Sequence, residues 1–540
     1  LGLGVFAVFA VWWFGGKHEP TKEYTVVTRQ NVTGLSLQGQ VRYRGIRVGK
    51  VLSIALDPHD ARDILIRIAV DSAVPVTGGT TARLGYQGVT GIAHVLLEET
   101  GADPRLLPGG EGTSPRIAMQ SSLIQELSDT GGETLRQARE LLASANDFFD
   151  DENRQRLLPL TFTRPVAEIR LGILTLREKW ERRLGAGGSS FRTADYLRVK
   201  YGFAAADDNL WINGSVIADE ALVAAVQQLE KGSCLRAGEV VIAARTDRAA
   251  AKDGSSDPDF SAMNVVEYGG SPEQVRYPWD IFSKNGKGIE ADFALLTKGR
   301  KSAPLSASNR VIAPERVFLE PGAKAECAIL NASAGPIYIG KDAEVMEGAM
   351  IRGPFALCEH STVKMGAKIY EGTTFGPECK VGGEVSNSVI FGYSNKAHDG
   401  FLGNSVLGEW CNLGADSNNS NLKNNYSMVK VWSYEEETYV NTRLQFCGLI
   451  MGDHSKCSIN TMFNTGTVVG VSANIFGTGF PPKFVPSFAW GGSEGFSTYR
   501  IEEAIEVASR VFERRKLAFN EAEQRIFRHL YDSSTKYRAW

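Results

Sequence analysis

Residues 381–426 read VGGEVSNSVIFGYSNKAHDGFLGNSVLGEWCNLGADSNNSNLKNNY, with one histidine, His398, set among glycines and asparagines. On both sides, apolar residues recur every sixth position. Ile339, Val345, Ile351, Leu357, Val363, Ile369, Phe375 and Val381 form one unbroken series. Phe401, Leu407 and Leu413 form a second, and Met451, Cys457, Phe463, Val469 and Ile475 a third. Such a period suits neither a helix nor a flat strand. It suits a solenoid whose hexads are the sides of a triangular coil, each apolar residue pointing into a shared core. Residues 296–498 are therefore expected to form a parallel β-helix of hexapeptide repeats. Its first coil starts at Ser308-Asn-Arg310, and its regular part runs to about residue 480.

The breaks at 331–336, 387–396 and 418–439 are expected as loops leaving the coil, where function often sits. Pro481, Pro482 and Pro486 end the repeat. From Tyr499, the residues Ile501, Ala504, Ile505, Ala508, Val511 and Phe512 form a helical stripe. The segment 499–540 is expected to be helical and to pack on the coil rather than on a membrane.

The chain has 540 residues, enough for about three domains at ~100–200 residues each. Its net charge is -3, with no basic tail, so nucleic acid is not an expected partner. All seven cysteines follow residue 230 and lack CxxC spacing. They read as reduced thiols of a cytoplasmic protein, not as a disulfide framework or a zinc site. No metal ligand set is assigned.

Residues 1–16, LGLGVFAVFAVWWFGG, are almost wholly apolar. A spanning helix needs about 20 such residues, so the run reads as a truncated membrane anchor. Residues 22–118 alternate apolar and polar residues between Gly-rich turns and read as a β-domain. Residues 119–150 read as a helical linker and junction, with Leu123, Leu127, Leu135, Leu141 and Leu142 on one face. Residues 151–295 read as an α/β domain. Trp211-Ile-Asn-Gly214 is expected at the end of a central strand, where open α/β sheets bind ligands. Residues 245–258, rich in Ala, Asp, Gly and Ser, read as an excursion from it.

Two resemblances attach to these segments. Val41-Arg-Tyr-Arg-Gly-Ile-Arg-Val-Gly49, Val51-Leu-Ser-Ile-Ala-Leu-Asp57 and Leu84-Gly-Tyr-Gln-Gly-Val-Thr-Gly-Ile92 resemble the mammalian cell entry (MCE) domain. That resemblance implies a small β-barrel held at the inner membrane by one N-terminal helix and projecting into the periplasm. It also implies a ring assembly that carries lipid through a pore, with residues 86–92 as the pore-facing loop.

Ser394-Asn-Lys-Ala-His398-Asp-Gly-Phe-Leu-Gly403 and Cys411-Asn-Leu-Gly-Ala415 carry the second resemblance. So do Phe148-Phe-Asp-Asp-Glu-Asn-Arg154, Leu157-Leu-Pro-Leu-Thr-Phe-Thr-Arg-Pro165 and Ile169-Arg-Leu-Gly-Ile-Leu-Thr-Leu-Arg-Glu-Lys-Trp180. Over about 148–515, the chain resembles an alternate bacterial branch of the bifunctional N-acetylglucosamine-1-phosphate uridylyltransferase/glucosamine-1-phosphate acetyltransferase family. The resemblance implies a left-handed coil, a homotrimer with sites between neighbouring coils, and cytoplasmic nucleotide-sugar biosynthesis. Its substrates would be an amino-sugar phosphate, acetyl-CoA as acyl donor and UTP, with Mg2+ at the nucleotidyltransferase domain. His398 matches the catalytic histidine, and Asn412 and Asn421 match asparagines contacting sugar or acyl group. Phe401 stands where the family has Tyr, and Lys423 is a candidate phosphate or CoA contact. Arg164, Arg170 and Lys179 are candidate contacts for nucleotide phosphates. The usual Gly-rich loop is absent, and Asn213 replaces a metal-binding Asp, with Asp219 further on.

The chemistry fits these residue types. A neutral imidazole, with an ordinary pKa of about 6.5, takes a proton from an attacking amine. Backbone amides at coil corners stabilise an oxyanion. His454, in Gly452-Asp-His-Ser-Lys456, is a second histidine, read more as structural. Two readings of the chain stay open. One is a sugar-phosphate acyltransferase and nucleotidyltransferase. The other is a membrane-anchored MCE-type lipid-transport subunit carrying a non-catalytic coil. The junction near Phe148–Arg154 reads as the joining of two unrelated genes, and the enzyme half is expected to fold independently of residues 1–147.

Overall fold

The computed structural model describes residues 20–119 apart from 30–31, 33–34, 59, 61–62, 88–91, 102 and 108–113, and residues 145–540 apart from 187 and 248–259. The apolar run 1–16, the centre of the expected pore loop, residues 120–144 of the expected linker helix and most of the 245–258 excursion lie outside these. The chain divides into two compact units, Leu1–Leu141 and Leu142–Trp540.

In the first unit, alternating residues make seven strands: β1 (Thr21–Thr28), β2 (Gln40–Tyr43), β3 (Ile46–Leu56), β4 (Ile64–Asp71), β5 (Thr80–Gln87), β6 (Ile92–Glu99) and β7 (Arg116–Ala118). They form one sheet in the order β5-β6-β2-β3-β4-β1-β7. A bridge from Ala82 to Met119 joins its two edges, so the sheet closes as a small barrel. Tyr24, Val26, Val41, Val51, Ile66, Ile68, Val95 and Leu97 fill its interior.

The second unit begins with a mixed sheet of β8 (Ala145–Phe149), β9 (Ser189–Arg192), β10 (Asp208–Asn213), β11 (Ser233–Ala237), β12 (Val240–Asp247) and β13 (Asn264–Glu267). Its order is β13-β11-β12-β10-β8-β9. Residues 145–149 are thus a strand, not the end of the expected helix. Phe148 and Phe149 face opposite sides of the sheet and both are buried, so the strand shows no amphipathic alternation. Among the described residues, three helices of two turns or more accompany this sheet: α1 (Leu176–Leu184), α2 (Glu220–Gln227) and α3 (Pro278–Thr297). α1 starts at a capping box of Thr175 and Glu178 and ends at Gly185, in the left-handed region at φ 72°.

From Arg310 the chain winds through three parallel sheets in rotation. Arg310–Ile312, Val317–Leu319 and Lys324–Ala325 open the first, second and third. Each strand pairs with its equivalent one coil later, as Leu319 does with Ile339 and Ile339 with Leu357. All eight members of the long apolar series line one core, as do all five of the third series. The second series shifts: Leu402, Leu407 and Leu413 point inward, while Phe401 is half-buried and faces out. Residues 387–396 stay in the coil as Val389–Gly392 and Asn395–Lys396. The excursion that leaves it spans 420–448 and carries a hairpin of Lys430–Ser433 and Thr438–Asn441.

The outer face of the second sheet is covered. α3 lies over it through Ile289 and Leu296, against Phe318, Tyr338 and Ala356. Leu157, Leu160, Val166 and Ile169 of the α/β domain meet Val389, Phe391, Val406 and Ile450 in one apolar cluster. The helices α4 (Ile501–Glu513) and α5 (Glu521–Ser533) close the next corner of the coil. They pack Ala504, Ala508, Phe512, Ile526, Phe527 and Leu530 around Trp410, Val471 and Phe488. The stripe read from 501 to 512 is this contact. The corner between the third and first sheets, which holds His398, carries neither covering.

Candidate functional sites

Two places in the second unit bring chemistry-bearing side chains together. The first is a cleft at the carboxyl ends of β8 and β10. These strands run parallel with Phe149 opposite Asn213, so both end at one level. The cleft has a volume of about 390 Å3 and is lined by Asp151, Arg156, Asn213, Phe260, Gln274 and Arg276, among others. In an open α/β sheet this end of the strands is the expected ligand crevice.

Asp151 organises the floor. Its carboxylate accepts from the Asn153 backbone N at 3.0 Å, Asn153 Nδ2 at 2.9 Å, Asn213 Nδ2 at 3.0 Å and Ser215 Oγ at 2.7 Å. Asn213 is itself buried: Nδ2 also donates to the Val241 carbonyl, and Oδ1 accepts from Ser215 N. Neighbouring Asp150 is buried, accepts from Val166 N at 2.8 Å and pairs with Arg154 at 3.2 Å. Burial pushes its carboxyl up to about 6. Burial likewise pushes Asp147, on β8, up to about 7.

These contacts decide the fit of a magnesium ion. Asp151 Oδ2 accepts from three of the chain's own donors and Oδ1 from one, and Asp219 caps α2 by accepting from Leu222 N at 2.7 Å. Among the described residues, no three His, Cys, Asp or Glu side chains are grouped to hold a metal ion. The described side chains thus offer no ready-made three-ligand magnesium site at the cleft.

The phosphate contacts expected from sequence lie elsewhere. Arg164 is buried against the coil, pairing with Asp453 and with Glu409 at 3.2 Å. Lys179 is buried and pairs with Asp292 of α3 at 2.5 Å. Arg170 donates to the Ile173 carbonyl and reaches Cys358 Sγ at 3.7 Å. Of the four expected nucleotide contacts, the cleft contains Asn213. Its cations are instead Arg156 and Arg276. Sequence reasoning missed both; the available signal was the acidic pair Asp150-Asp151 directly after the apolar Phe148-Phe149.

The second place is the uncovered corner of the coil between Asn395–Lys396 and Phe401–Gly403. His398 is exposed there. Its backbone carbonyl accepts from Lys396 Nζ at 2.6 Å. The Phe401 ring lies over Gly403, where a Cβ would meet it at 2.5 Å, and Asn421 Nδ2 stands beside it at 2.7 Å from the same point. Asn421 is oriented by Asn404 Oδ1 at 2.8 Å. Asn412 is exposed one coil above Asn395. Lys423 is turned into the excursion, donating to the Met428 carbonyl at 2.8 Å. The asparagines at 418 and 419 act as a ladder: Asn418 Oδ1 accepts from Phe401 N, while Asn419 both accepts from Gly403 N and donates to Gly403 O.

His454 is 5 % exposed, ringed by Trp410, Phe512, Phe519 and Phe527. Burial holds its imidazole well below the usual range. It is a packed residue of the α4–α5 contact.

Comparisons with known proteins agree with this division. Residues 148–301 match the family described as sugar nucleotidyl transferase, and residues 21–100 match the MlaD protein family. The chain is 30% identical over 205 residues to the bifunctional protein GlmU of Methanocaldococcus jannaschii, covering 38% of this chain and 43% of that protein. It is 37% identical over 97 residues to an uncharacterized protein of Bradyrhizobium diazoefficiens, covering 17% and 26%. The chain thus spans less than half the length of these curated relatives. The solved Acinetobacter MlaFEDB complex in its ATP-bound Vtrans1 conformation contains a chain 15% identical, with a TM-score of 0.19; the match covers 24% of this chain and 96% of that one. The second unit therefore carries a sugar-nucleotidyltransferase-like α/β domain on a parallel β-helix. The first unit carries a small barrel similar to the MlaD protein family over residues 21–100.

Proposed function

We propose that the second unit is a two-site enzyme of nucleotide-sugar synthesis. The coil transfers an acetyl group from acetyl-CoA to an amino-sugar phosphate, and the α/β cleft binds the sugar nucleotide or its precursors. The observation that carries this reading is the exposed His398 at the uncovered corner, just before the strand whose outer face carries Phe401. The amine nitrogen attacks the thioester carbonyl carbon while His398 accepts its proton. The C–S bond then breaks, and the CoA thiolate leaves and is protonated. The acceptor's sugar would lie against Phe401 and the Asn421 amide. In the cleft, Arg276 would face the phosphates, with Arg156 held beside it by Glu435 and Glu152. Exposed Ile329 and Met350 on the first sheet support a homotrimer built through the coil. Acetyl-CoA and UTP place this work in the cytoplasm.

The test is the full chain with glucosamine-1-phosphate and acetyl-CoA, following free CoA, beside His398→Ala. Loss of a general base is expected to lower kcat by roughly 10²–10⁴-fold. Equal rates in the two proteins would overturn the assignment. The closed barrel of the first unit favours a second reading for that unit alone, a ring-forming lipid-transport module. Among the described residues, no helix is long and apolar enough to cross a membrane.

A further inference from the structure

Seen along the third sheet, the inward positions stack in register: Ala325, Val345, Val363 and Val381, then Lys396, then Leu413, Cys457 and Ile475. Every other member of that column is apolar or a thiol. Lys396 is 2 % exposed and lies between Val381 below and Leu413 above. A buried ammonium is costly, and a valine or leucine here would extend the core at no such cost. Departures of this kind from a local pattern mark functional constraint more often than accident. The ammonium's hydrogen bond goes to the corner. Nζ donates to the carbonyl of His398, two residues on, at 2.6 Å.

The far end of the corner is tied to the coil below, where Glu384 N donates to the Gly400 carbonyl at 3.2 Å. His398 and Asp399 are exposed. Its backbone is held from above, where Asp416 N donates to the Asp399 carbonyl at 3.0 Å. Asp399 on the same corner and Asp416 on the next one favour the charged ammonium, as does Cys457, while burial opposes it and brings Lys396 down to about 8. The lysine thus reaches from the dry interior to the backbone of the residue whose imidazole faces solvent.

We propose that Lys396 is the positioning residue for His398, its buried ammonium fixing the corner from which the imidazole reaches the acceptor amine. This rests on the reading of His398 as the general base. Lys396 touches no substrate and acts through the His398 backbone alone. The design separates two jobs that an apolar residue would merge: closing the core and anchoring a solvent-facing loop.

The experiment compares the full-length protein with Lys396→Met and Lys396→Leu. Replacing a buried charge with a well-packed apolar side chain is neutral or stabilising in many folds. Both variants are therefore expected to melt at or above the wild-type temperature. Acyl transfer is expected to lose about tenfold in kcat with KM within about twofold, since ordering rather than contact is removed. Amide hydrogen exchange at Asp416, whose N–H is bonded to the corner, is expected to quicken by about tenfold while core amides of the same rung, such as Leu413, keep their rates. Unchanged exchange at Asp416 in a folded variant overturns the proposal. So does an equal loss of kcat and protection throughout the coil, which would make Lys396 a general core residue. The exchange readout does not depend on turnover. If the wild type transfers no acyl group, the reading of His398 fails while the anchoring of its corner is still decided by exchange.

Discussion

Asp292 is fully buried and gathers three donors on one oxygen: Ile173 N at 2.8 Å, Leu174 N at 3.0 Å and Lys179 Nζ at 2.5 Å. This explains why Lys179, read from sequence as a phosphate contact, is a strut between α1 and α3. Removing the carboxylate strands a buried ammonium and two amide donors. Asp292→Ala is expected to cost about 3–5 kcal/mol of stability, measured by urea unfolding. Lys179→Met leaves the two amide bonds in place and is expected to cost clearly less; the reverse order would refute this account. His454 gives a pH dependence. Its imidazole is held neutral by burial first, then by Lys456, Lys200 and Arg164. The unfolded imidazole takes up a proton near pH 6.5, the folded one only well below that. The unfolded state therefore binds more protons below 6.5, so this contribution is intact above pH 6.5 and is lost as pH falls. The raised carboxyls of Asp147 and Asp150 act in the opposite direction, so the comparison must be by variant. His454→Phe is expected to flatten the fall of Tm between pH 7 and 5 relative to wild type. A parallel fall in both proteins would show that the histidine contributes nothing. The contrast between the histidines was legible in sequence, since His398 stands among glycines and asparagines. The partners of Arg164 were not, because Asp453 lies 289 residues away.

The coil was legible because one inward residue per side repeats for as long as the sides keep their length. Ile339, Leu357 and Phe375 stack at steps of 18 residues, and the sequence shows them plainly. The next inward residues, Ile390 and Leu407, follow after steps of 15 and 17, so the period dissolves where the site begins. For that reason Phe401 falls in the six-residue series although Leu402 is the inward residue, and residues 387–396 read as a break although they stay in the coil. Strand β8 was hidden differently: short and buried on both faces, it carries no alternation to read. The terminal stripe is the element whose packing was best foreshadowed. α4 places Phe512 4.0 Å from the Trp410 ring centroid and 5.1 Å from Phe519. Phe512→Ala is expected to cost about 3–5 kcal/mol at this contact. Because the loss falls on the docking of α4 and α5 and not on the coil, limited proteolysis should cut first between Arg514 and Asn520. Cleavage spread evenly over the coil would argue that the helices are part of its cooperative unit.

At the scale of the molecule, the two units pose a problem that neither poses alone. Each has its own apolar core, one inside the seven-stranded barrel and the others in residues from Phe148 onward. The division falls between Leu141 and Leu142, a few residues before β8 enters the α/β sheet. A domain with a complete core folds without its neighbour. A protein lacking residues 1–141 is therefore expected to stay soluble, keep the melting temperature of the higher-melting or larger transition, and transfer acyl groups with unchanged kcat and KM. The intact chain should then show two calorimetric transitions, since separate cores unfold separately. The starting point of the deletion matters. β8 supplies the strand that places Asp150 and Asp151 at the cleft and pairs with both β9 and β10. Cutting at 150 instead of 141 is thus expected to collapse the α/β sheet, although it removes only nine further residues. If the protein starting at residue 142 aggregates and the intact one melts in a single transition, the units depend on each other for stability. The barrel would then have to be counted as part of the enzyme.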